Sequence, residues 1–175
     1  GQGKGTSQAF LREAQLRTML SVENTGMAVT LDIGSTITNH PPEKLLIGKR
    51  LAYWALAKNY GFNSLPYSGP VYESMKVKNN KVYVNFKFAK NGVTSYGKPL
   101  SGFEIAGEDK IFYSADASID PHWSAGWENR SVLTLSNKNV PNPLYIRYGW
   151  KNYIKGALYN VEGLPASSFR SYDFD

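Results

Sequence analysis

The spacing of apolar residues changes near residue 61, and this change limits the folds open to the chain. Before it, two long segments have apolar residues at helical spacing, and one short apolar run lies between them. After it, apolar and polar residues alternate, as they do in half-buried β-strands. The 175 residues therefore predict an α+β protein, with a helical part at residues 1–61 and an all-β part at residues 62–175.

The first part begins with a predicted helix and a predicted strand. Residues 7–22 have helical spacing, with Ser7 as a possible N-cap, and Asn24-Thr25-Gly26 ends this helix. Residues 27–33 are apolar without alternation, which is typical of a strand buried on both faces.

A second helix is predicted from Pro42 to Gly61. Proline suits a first helical turn and glycine suits a C-terminal cap. One face of this helix carries small and apolar residues, namely Leu45, Gly48, Ala52 and Ala55. Small side chains allow close approach, so we expect this stripe to pack on a sheet.

The single strand at residues 27–33 cannot form a sheet by itself. A parallel strand buried on both faces needs a neighbour on each side. We therefore expect this chain to be the C-terminal part of a larger protein; the alternative is that the segment completes a sheet supplied by another molecule.

Residues 62–175 predict a β-sandwich. Residues 63–70 form a linker rich in turn-forming residues, and residues 71–78 and 81–88 alternate around Asn79-Asn80, as in a β-hairpin with a tight turn. Further strands are predicted at residues 102–107, 110–119, 131–135 and 144–150. Short strands separated by Asn, Gly and Pro are typical of a sandwich of about 100 residues.

The composition argues against several classes of function. The chain has no cysteine, which excludes disulfides, thiolate metal sites and cysteine nucleophiles. Its two histidines are distant and its carboxylates are not clustered, so we expect no metal site and no cofactor. No apolar run approaches the roughly 20 residues of a membrane span.

The net charge of +6 is spread along the chain. Five lysines fall on the predicted hairpin and just after it: Lys76, Lys78, Lys81, Lys87 and Lys90. Without a compact Arg/Lys cluster, this pattern favours a solvated sheet face over a nucleic-acid-binding surface.

His40 is the candidate catalytic residue. It follows the predicted strand and a short polar loop, and it precedes the second helix. In open α/β hydrolases, catalytic groups lie on loops at the C-terminal ends of strands, where a histidine can act as general base for a serine elsewhere in the fold. The alternative is a loop histidine that packs on the helix start. The other histidine, His122, lies in an unrelated context.

Aromatic residues of the β part suggest a second kind of function. Trp123, Trp127, Tyr148 and Trp150 could stack on sugar rings, although aromatic residues of a sandwich are more often part of the core. Asn129-Arg130-Ser131 matches a glycosylation acceptor, a motif that is common by chance.

Several segments, in order along nearly the whole chain, share a pattern with one enzyme family. They are Asp32-Ile33-Gly34, His40-Pro41, Glu43-Lys44, residues 48–52 and 55–61, residues 102–107, YIRYGW at residues 145–150 and ALYNVEGLPASSFR at 157–170. In these segments the chain resembles the C-terminal portion of the sialate O-acetylesterase family, which are SGNH-type serine esterases.

This resemblance implies both a fold and an activity. Residues 1–61 would be the C-terminal helix–strand–helix piece of an SGNH-type α/β hydrolase domain, followed by the sandwich. The enzyme would hydrolyse O-acetyl esters of sialic acids, or of related acetylated glycans, through an acetyl-serine intermediate, with His40 as general base. Because family members act on extracellular glycans, the resemblance implies a periplasmic, secreted or lysosomal location.

The chain departs from the family pattern in two respects. No segment resembles the block that carries the nucleophilic serine, so we expect an upstream esterase segment to carry it and this chain alone to be inactive. Relatives commonly have an aspartate two or three residues before the histidine, where this chain has Thr38 and Ile37. Asp32 is the nearest upstream carboxylate and a possible orienting acid; a Ser–His dyad or orientation by a backbone carbonyl are the alternatives.

Two other functions remain open from the sequence. One is a noncatalytic carbohydrate-binding or structural module, supported by Trp123, Trp127 and Trp150. The other is an acetylxylan-type deacetylase, because hydrolases of this type change substrate through their loops.

Overall fold

Two helices occupy the N-terminal third of the chain. The structure is a computed structural model that describes residues 5–38, 40–120 and 131–174. Helix α1 spans Ser7–Ser21 and helix α2 spans Lys44–Asn59, which confirms both predicted helices. The predicted N-cap is wrong by one residue: Thr6 holds that position, while the hydroxyl of Ser7 donates to Asn152 Oδ1 at 3.2 Å.

Helix α2 begins two residues after Pro42 and ends as predicted. Its C-cap is Tyr60, and the following Gly61 has a φ of +76°, a left-handed conformation that glycine adopts without a Cβ clash. The N–H groups of Tyr60 and Phe62 donate to Ala55 O and Leu56 O, so glycine lets the chain turn back over the last helical carbonyls.

The face that α2 buries differs from the predicted one. Leu45, Gly48, Ala52 and Ala55 are all exposed. The helix instead buries Arg50 and Ala57. Nothing in the described residues covers the small-residue stripe, so the predicted packing on a sheet is absent there.

Residues 27–33 form no strand in the structure. Residues 27–30 lack regular secondary structure, and residues 31–33 form a turn in which Ile33 N–H donates to Thr30 O at 3.2 Å. A strand exists only when a neighbour pairs with its backbone groups. Within the described residues no strand lies beside this run, which is the physical reason that the apolar pattern does not become a strand.

The β part starts with the predicted hairpin. Strands β1 (Val71–Lys78) and β2 (Lys81–Lys87) pair in antiparallel fashion. Asn79 and Asn80 between them have φ values of 52° and 60°. Two consecutive left-handed residues define a primed turn, whose twist matches that of the two strands.

Eight further strands complete two four-stranded antiparallel sheets and one two-stranded ribbon among the described residues. They are β3 (Val93–Thr94), β4 (Phe103–Ala106), β5 (Tyr113–Ser114), β6 (Asp116–Asp120), β7 (Val132–Ser136), β8 (Tyr145–Tyr148), β9 (Tyr159–Asn160) and β10 (Phe169–Arg170). The strand orders are β1-β2-β7-β6, β10-β8-β4-β5 and β3-β9.

The two larger sheets share one hydrophobic core. Val84 and Leu133 from the first sheet belong to the same buried cluster as Ile105, Ile146 and Phe169 from the second. Alternation along each strand directs these side chains to one face. The architecture is therefore α+β, with two packed antiparallel sheets.

The predicted strand at residues 110–119 is two strands in different sheets. β5 pairs with β4 in the second sheet, whereas β6 pairs with β7 in the first. Ala115 lies between them, and its N–H donates to Phe103 O at 2.9 Å. The chain changes sheets at this residue, a corner that apolar alternation alone does not reveal.

The N-terminal helix packs on the β part, across the predicted boundary at residue 61. Arg12 of α1 donates to Gly149 O at 2.7 Å, to Lys151 O at 2.6 Å and to Ser168 Oγ at 2.8 Å. Glu13 accepts two hydrogen bonds from Arg170, at 2.9 and 3.0 Å. The division into domains at residues 1–61 and 62–175 remains a prediction, and α1 is bonded to the second of these parts.

Asn160 ties the C-terminal tail to the linker. Its side chain is 1% exposed, and its Nδ2 donates to Ser68 O and to Phe88 O, each at 3.0 Å. Its Oδ1 accepts from Leu164 N–H at 2.9 Å. A single amide therefore bonds three backbone groups from three separate segments.

Replacing Asn160 with Ala should lower the free energy of unfolding by about 3 kcal/mol, because buried carbonyls and an amide would lose their partners. Urea denaturation followed by tryptophan fluorescence measures this change. Asn91→Ala is the matched control, since the exposed Asn91 amide makes one bond, to Glu162, and should change stability by under about 0.5 kcal/mol. Equal losses in both variants would contradict the role of Asn160.

Candidate active-site loop

The loop that carries His40 is shaped by two short side-chain turns. Ser35 Oγ accepts a hydrogen bond from Ile37 N–H at 3.1 Å, and Thr38 Oγ1 accepts one from His40 N–H at 3.0 Å. Hydroxyl groups that accept from the backbone two residues onward are the reason that Ser and Thr favour turns. His40 is exposed. Its ring makes no hydrogen bond with any residue in the described part of the chain.

Asp32 is held by an arginine that lies on α2. Arg50 Nη1 and Nη2 donate to the two oxygens of Asp32, at 2.8 and 2.7 Å. Both side chains are buried, with 5% of Arg50 and 8% of Asp32 exposed. No hydrogen bond joins Asp32 to His40 in the described residues. Asp32 thus anchors the start of the loop to α2, and its predicted role as orienting acid for His40 is still a prediction.

Arg50 is a residue whose importance the sequence reasoning missed. Besides Asp32, its Nη1 donates to Val29 O at 2.6 Å, while its buried Nε has no partner in the described residues. The available signal was a single arginine between Ile47 and Ala57 on an otherwise apolar side of the helix. A buried guanidinium requires a carboxylate, and Asp32 is the carboxylate within residues 27–33.

A close backbone contact fixes the other side of the loop. Leu31 is buried in the common core, and Leu31 O accepts from Gly156 N–H at 2.9 Å. A Cβ atom on Gly156 would lie 2.9 Å from Leu31 Cβ and 3.1 Å from Tyr148 Oη. Glycine is therefore required at position 156 by this approach, and the loop with His40 departs from a point held to the β part.

The aromatic candidates divide into two groups. Tyr148 and Trp150 are buried, at 0% and 3% exposure, so the core interpretation applies to both. Trp123 and Trp127 lie outside the described residues, as do His122, Asn129 and Arg130 of the sequon. The hydroxyl of Ser131 is bonded to the backbone of Val93.

Two further predictions concern metal ions and membranes. In residues 5–38, 40–120 and 131–174, no group of three or more His, Asp or Glu side chains is arranged to hold a metal ion. Neither helix of these ranges has the length and hydropathy that crossing a bilayer would require.

Comparison with known proteins found a similarity to an esterase of known structure. A scan against protein-family models found no match, and neither did a search of curated proteins. Among solved structures, the chain is similar to a crystal structure described as a novel carbohydrate acetylesterase from Xanthomonas citri, with a TM-score of 0.82 and 34% sequence identity. The similarity covers 98% of this chain and 38% of the Xanthomonas protein. The chain therefore spans well under half the length of that relative.

Replacing Asp32 with Asn should destabilise the protein by about 3 kcal/mol, because removal of one charge leaves the buried Arg50 guanidinium without its counter-ion. Chemical denaturation measures the loss. Asp173→Asn is the control: Asp173 also pairs with an arginine, but its side chain is 85% exposed, and exposed pairs contribute little. An Asp32→Asn variant as stable as the control would contradict the anchoring role.

The pH dependence of stability should report on Tyr148. Burial raises the pKa of Tyr148 from 10.0 to about 12, since the phenolate cannot be solvated in the core. The folded pKa lies above the unfolded one, so the contribution is full below about pH 10 and is lost as the pH rises toward 12. A shift of this size corresponds to about 2–3 kcal/mol. Comparing unfolding of the wild type and Tyr148→Phe between pH 8 and 11.5 should show the stronger decline in the wild type.

Proposed function

We propose that this chain is part of a carbohydrate esterase that removes O-acetyl groups, with sialic acids as the preferred acetylated sugar. The observation that carries the proposal is the 34% identity and TM-score of 0.82 to the Xanthomonas carbohydrate acetylesterase over 98% of this chain. The resemblance of residues 145–150 and 157–170 to sialate O-acetylesterases supports the choice of sugar. By the same resemblance, the enzyme would act outside the cytoplasm, in the periplasm, the extracellular space or the lysosome.

In this proposal His40 acts as the general base. The exposed imidazole takes the proton of a serine hydroxyl, and the serine oxygen attacks the acetyl carbonyl carbon. The imidazolium then protonates the sugar oxygen as the C–O bond breaks, which leaves an acetyl-serine. A water molecule, deprotonated by the same imidazole, hydrolyses this ester and releases acetate. The two side-chain turns at Ser35 and Thr38 hold the histidine backbone while its ring stays open to the serine.

The serine and the missing sheet would come from an upstream esterase segment. Three observations support this part of the proposal. The run at residues 27–30 is apolar but has no strand beside it in the described residues. Leu45 on the stripe of α2 is 73% exposed and Ile37 is 91% exposed. The Xanthomonas protein is longer than the matched region, since this chain covers 38% of it. A sheet placed against α2 would bury these apolar groups.

An acetylxylan-type deacetylase is the second candidate. The description of the Xanthomonas protein names acetylated carbohydrate without naming the sugar, so the same observation supports this alternative. Both candidates share the chemistry of His40 and differ only in the sugar that is bound.

The decisive experiment measures acetate release from O-acetylated sialic acid and from acetylxylan. It uses this chain and a version extended upstream, each with and without His40→Ala. We expect activity only in the extended protein, and a loss of roughly 10²–10⁴-fold on His40→Ala, as for removal of a general base. Sialate should be the better substrate.

Lys44→Ala is the control for disturbance of the loop, since Lys44 is exposed at the start of α2 and should leave activity within twofold of wild type. The His40 ring has no bond to lose in the described residues, so His40→Ala should also leave the melting temperature unchanged. Full activity in the extended His40→Ala protein would remove His40 from the mechanism. Faster release from acetylxylan would favour the second candidate.

A further inference from the structure

A cleft of about 330 Å³ opens between α1, the segment before β5, the end of β8 and the C-terminal tail. Its walls carry five aromatic rings, those of Phe10, Phe112, Trp150, Tyr172 and Phe174. The cleft lies between α1 and the β part, and no residue in it belongs to the loop that carries His40. Its volume falls at the lower end of the range of small-ligand pockets, which is enough for a sugar residue.

Three cationic side chains line the same cleft, those of Lys110, Arg147 and Arg170. Two of them pair with a carboxylate. Arg147 Nε is paired with Glu104 Oε2 at 2.7 Å, and Arg170 is paired with Glu13. Lys110 has no carboxylate within ion-pair distance in the described residues. Among the described residues, Arg147 and Arg170 thus have carboxylate partners and Lys110 has none.

The two available donors lie against rings of one aromatic assembly. Lys110 Nζ lies 4.2 Å from the centre of the Phe174 ring, and the Arg147 guanidinium lies 3.9 Å from the centre of the Phe112 ring. The rings of Tyr172 and Phe174 stack at 4.3 Å, and Phe112 lies 5.2 Å from Tyr172, so these groups form one assembly. Arg147 Nη2 donates to no residue in the described ranges.

The backbone at Lys110 is unusual for a lysine. Lys110 closes a turn in which its N–H donates to Gly107 O at 3.1 Å, and its φ is +58°. Glycine and asparagine adopt this conformation at lower cost, so the fold of the turn alone does not favour lysine. Unfavourable backbone conformations are concentrated at functional sites.

We propose that this cleft binds a sugar residue that carries a carboxylate, such as a sialic acid or a uronic acid. The carboxylate accepts from Lys110 Nζ and Arg147 Nη2, while the apolar face of the sugar ring lies against the aromatic wall. The cleft shares no residue with the loop that carries His40. The choice of sialic acid as one ligand rests on the proposed function, whereas binding of an acidic sugar does not require esterase activity.

Calorimetric titration of the full 175-residue chain tests this inference. The probes are the methyl glycoside of N-acetylneuraminic acid, trigalacturonic acid, the methyl ester of each, and inorganic phosphate. We expect at least one acid to bind and its methyl ester, which keeps the ring but lacks the charge, to bind at least about tenfold more weakly. Phosphate should not compete at equal concentration, because it has no ring to contact the aromatic wall.

Variants at Lys110 separate binding from stability. Lys110→Gly should weaken binding of the acid about tenfold and leave the melting temperature the same or higher, since glycine accepts the positive φ. Lys110→Arg should retain binding within about threefold because it keeps the charge. Lys78→Gln removes an exposed lysine on β1 and should leave binding unchanged.

The proposal is overturned if neither acid binds, if the methyl esters bind as tightly as the acids, or if phosphate displaces the sugar at equal concentration. Equal weakening by Lys78→Gln and Lys110→Gly would also overturn it, since general electrostatic attraction would then explain binding. Binding without acetate release from the extended protein would support this cleft and refute only the proposed function.

Discussion

The buried ion pair between Arg50 and Asp32 is the interaction on which the rest of the N-terminal part depends. Residues 27–33 have no strand beside them in the described part of the chain, so ladder hydrogen bonds cannot set their position. Three hydrogen bonds from one guanidinium do so instead, two to Asp32 and one to Val29 O. Burial of an arginine costs free energy unless a carboxylate pairs with it. The segment is therefore held where Asp32 can pair with Arg50. The loop with His40 starts directly after the anchored aspartate.

The β part holds this segment and α1 through contacts between distant parts of the sequence. Leu31 enters the common core beside Gly156, and Arg12 of α1 binds carbonyls of the turn after β8. Asn160 then joins the tail to the linker. The two packed sheets therefore hold the start of the candidate catalytic loop in position. In this arrangement the backbone of His40 is held by the loop, while its side chain is exposed.

In our proposal, the catalytic chemistry is divided between this chain and an upstream esterase segment. His40 can accept a proton, but no serine bonds to it among the described residues. In the same proposal, a sheet of that segment would cover the exposed stripe of α2 and the exposed Ile37. The aromatic cleft at Lys110 lies between α1 and the β part and shares no residue with the loop that carries His40, and we propose that it holds the acidic sugar. Substrate choice and catalysis would then depend on different residues.

The sequence alone determined those features that depend on local physical rules. Helical spacing with a terminal glycine predicted α2 to within two residues, and Asn79-Asn80 predicted the hairpin, because left-handed asparagines suit a primed turn. The loop position of His40 could also be read from the flanking polar residues.

The tertiary structure alone decided what depends on neighbours. The run at residues 27–33 matches a buried strand in composition, yet a strand needs a pairing partner, which local sequence cannot supply. The ion pair between Arg50 and Asp32 decided which face of α2 is buried. The spacing of apolar residues along the sequence does not reveal such a pair. The change of sheets at Ala115 and the gathering of Lys110, Arg147 and the tail aromatics around one cleft likewise arise from contacts between segments far apart in sequence.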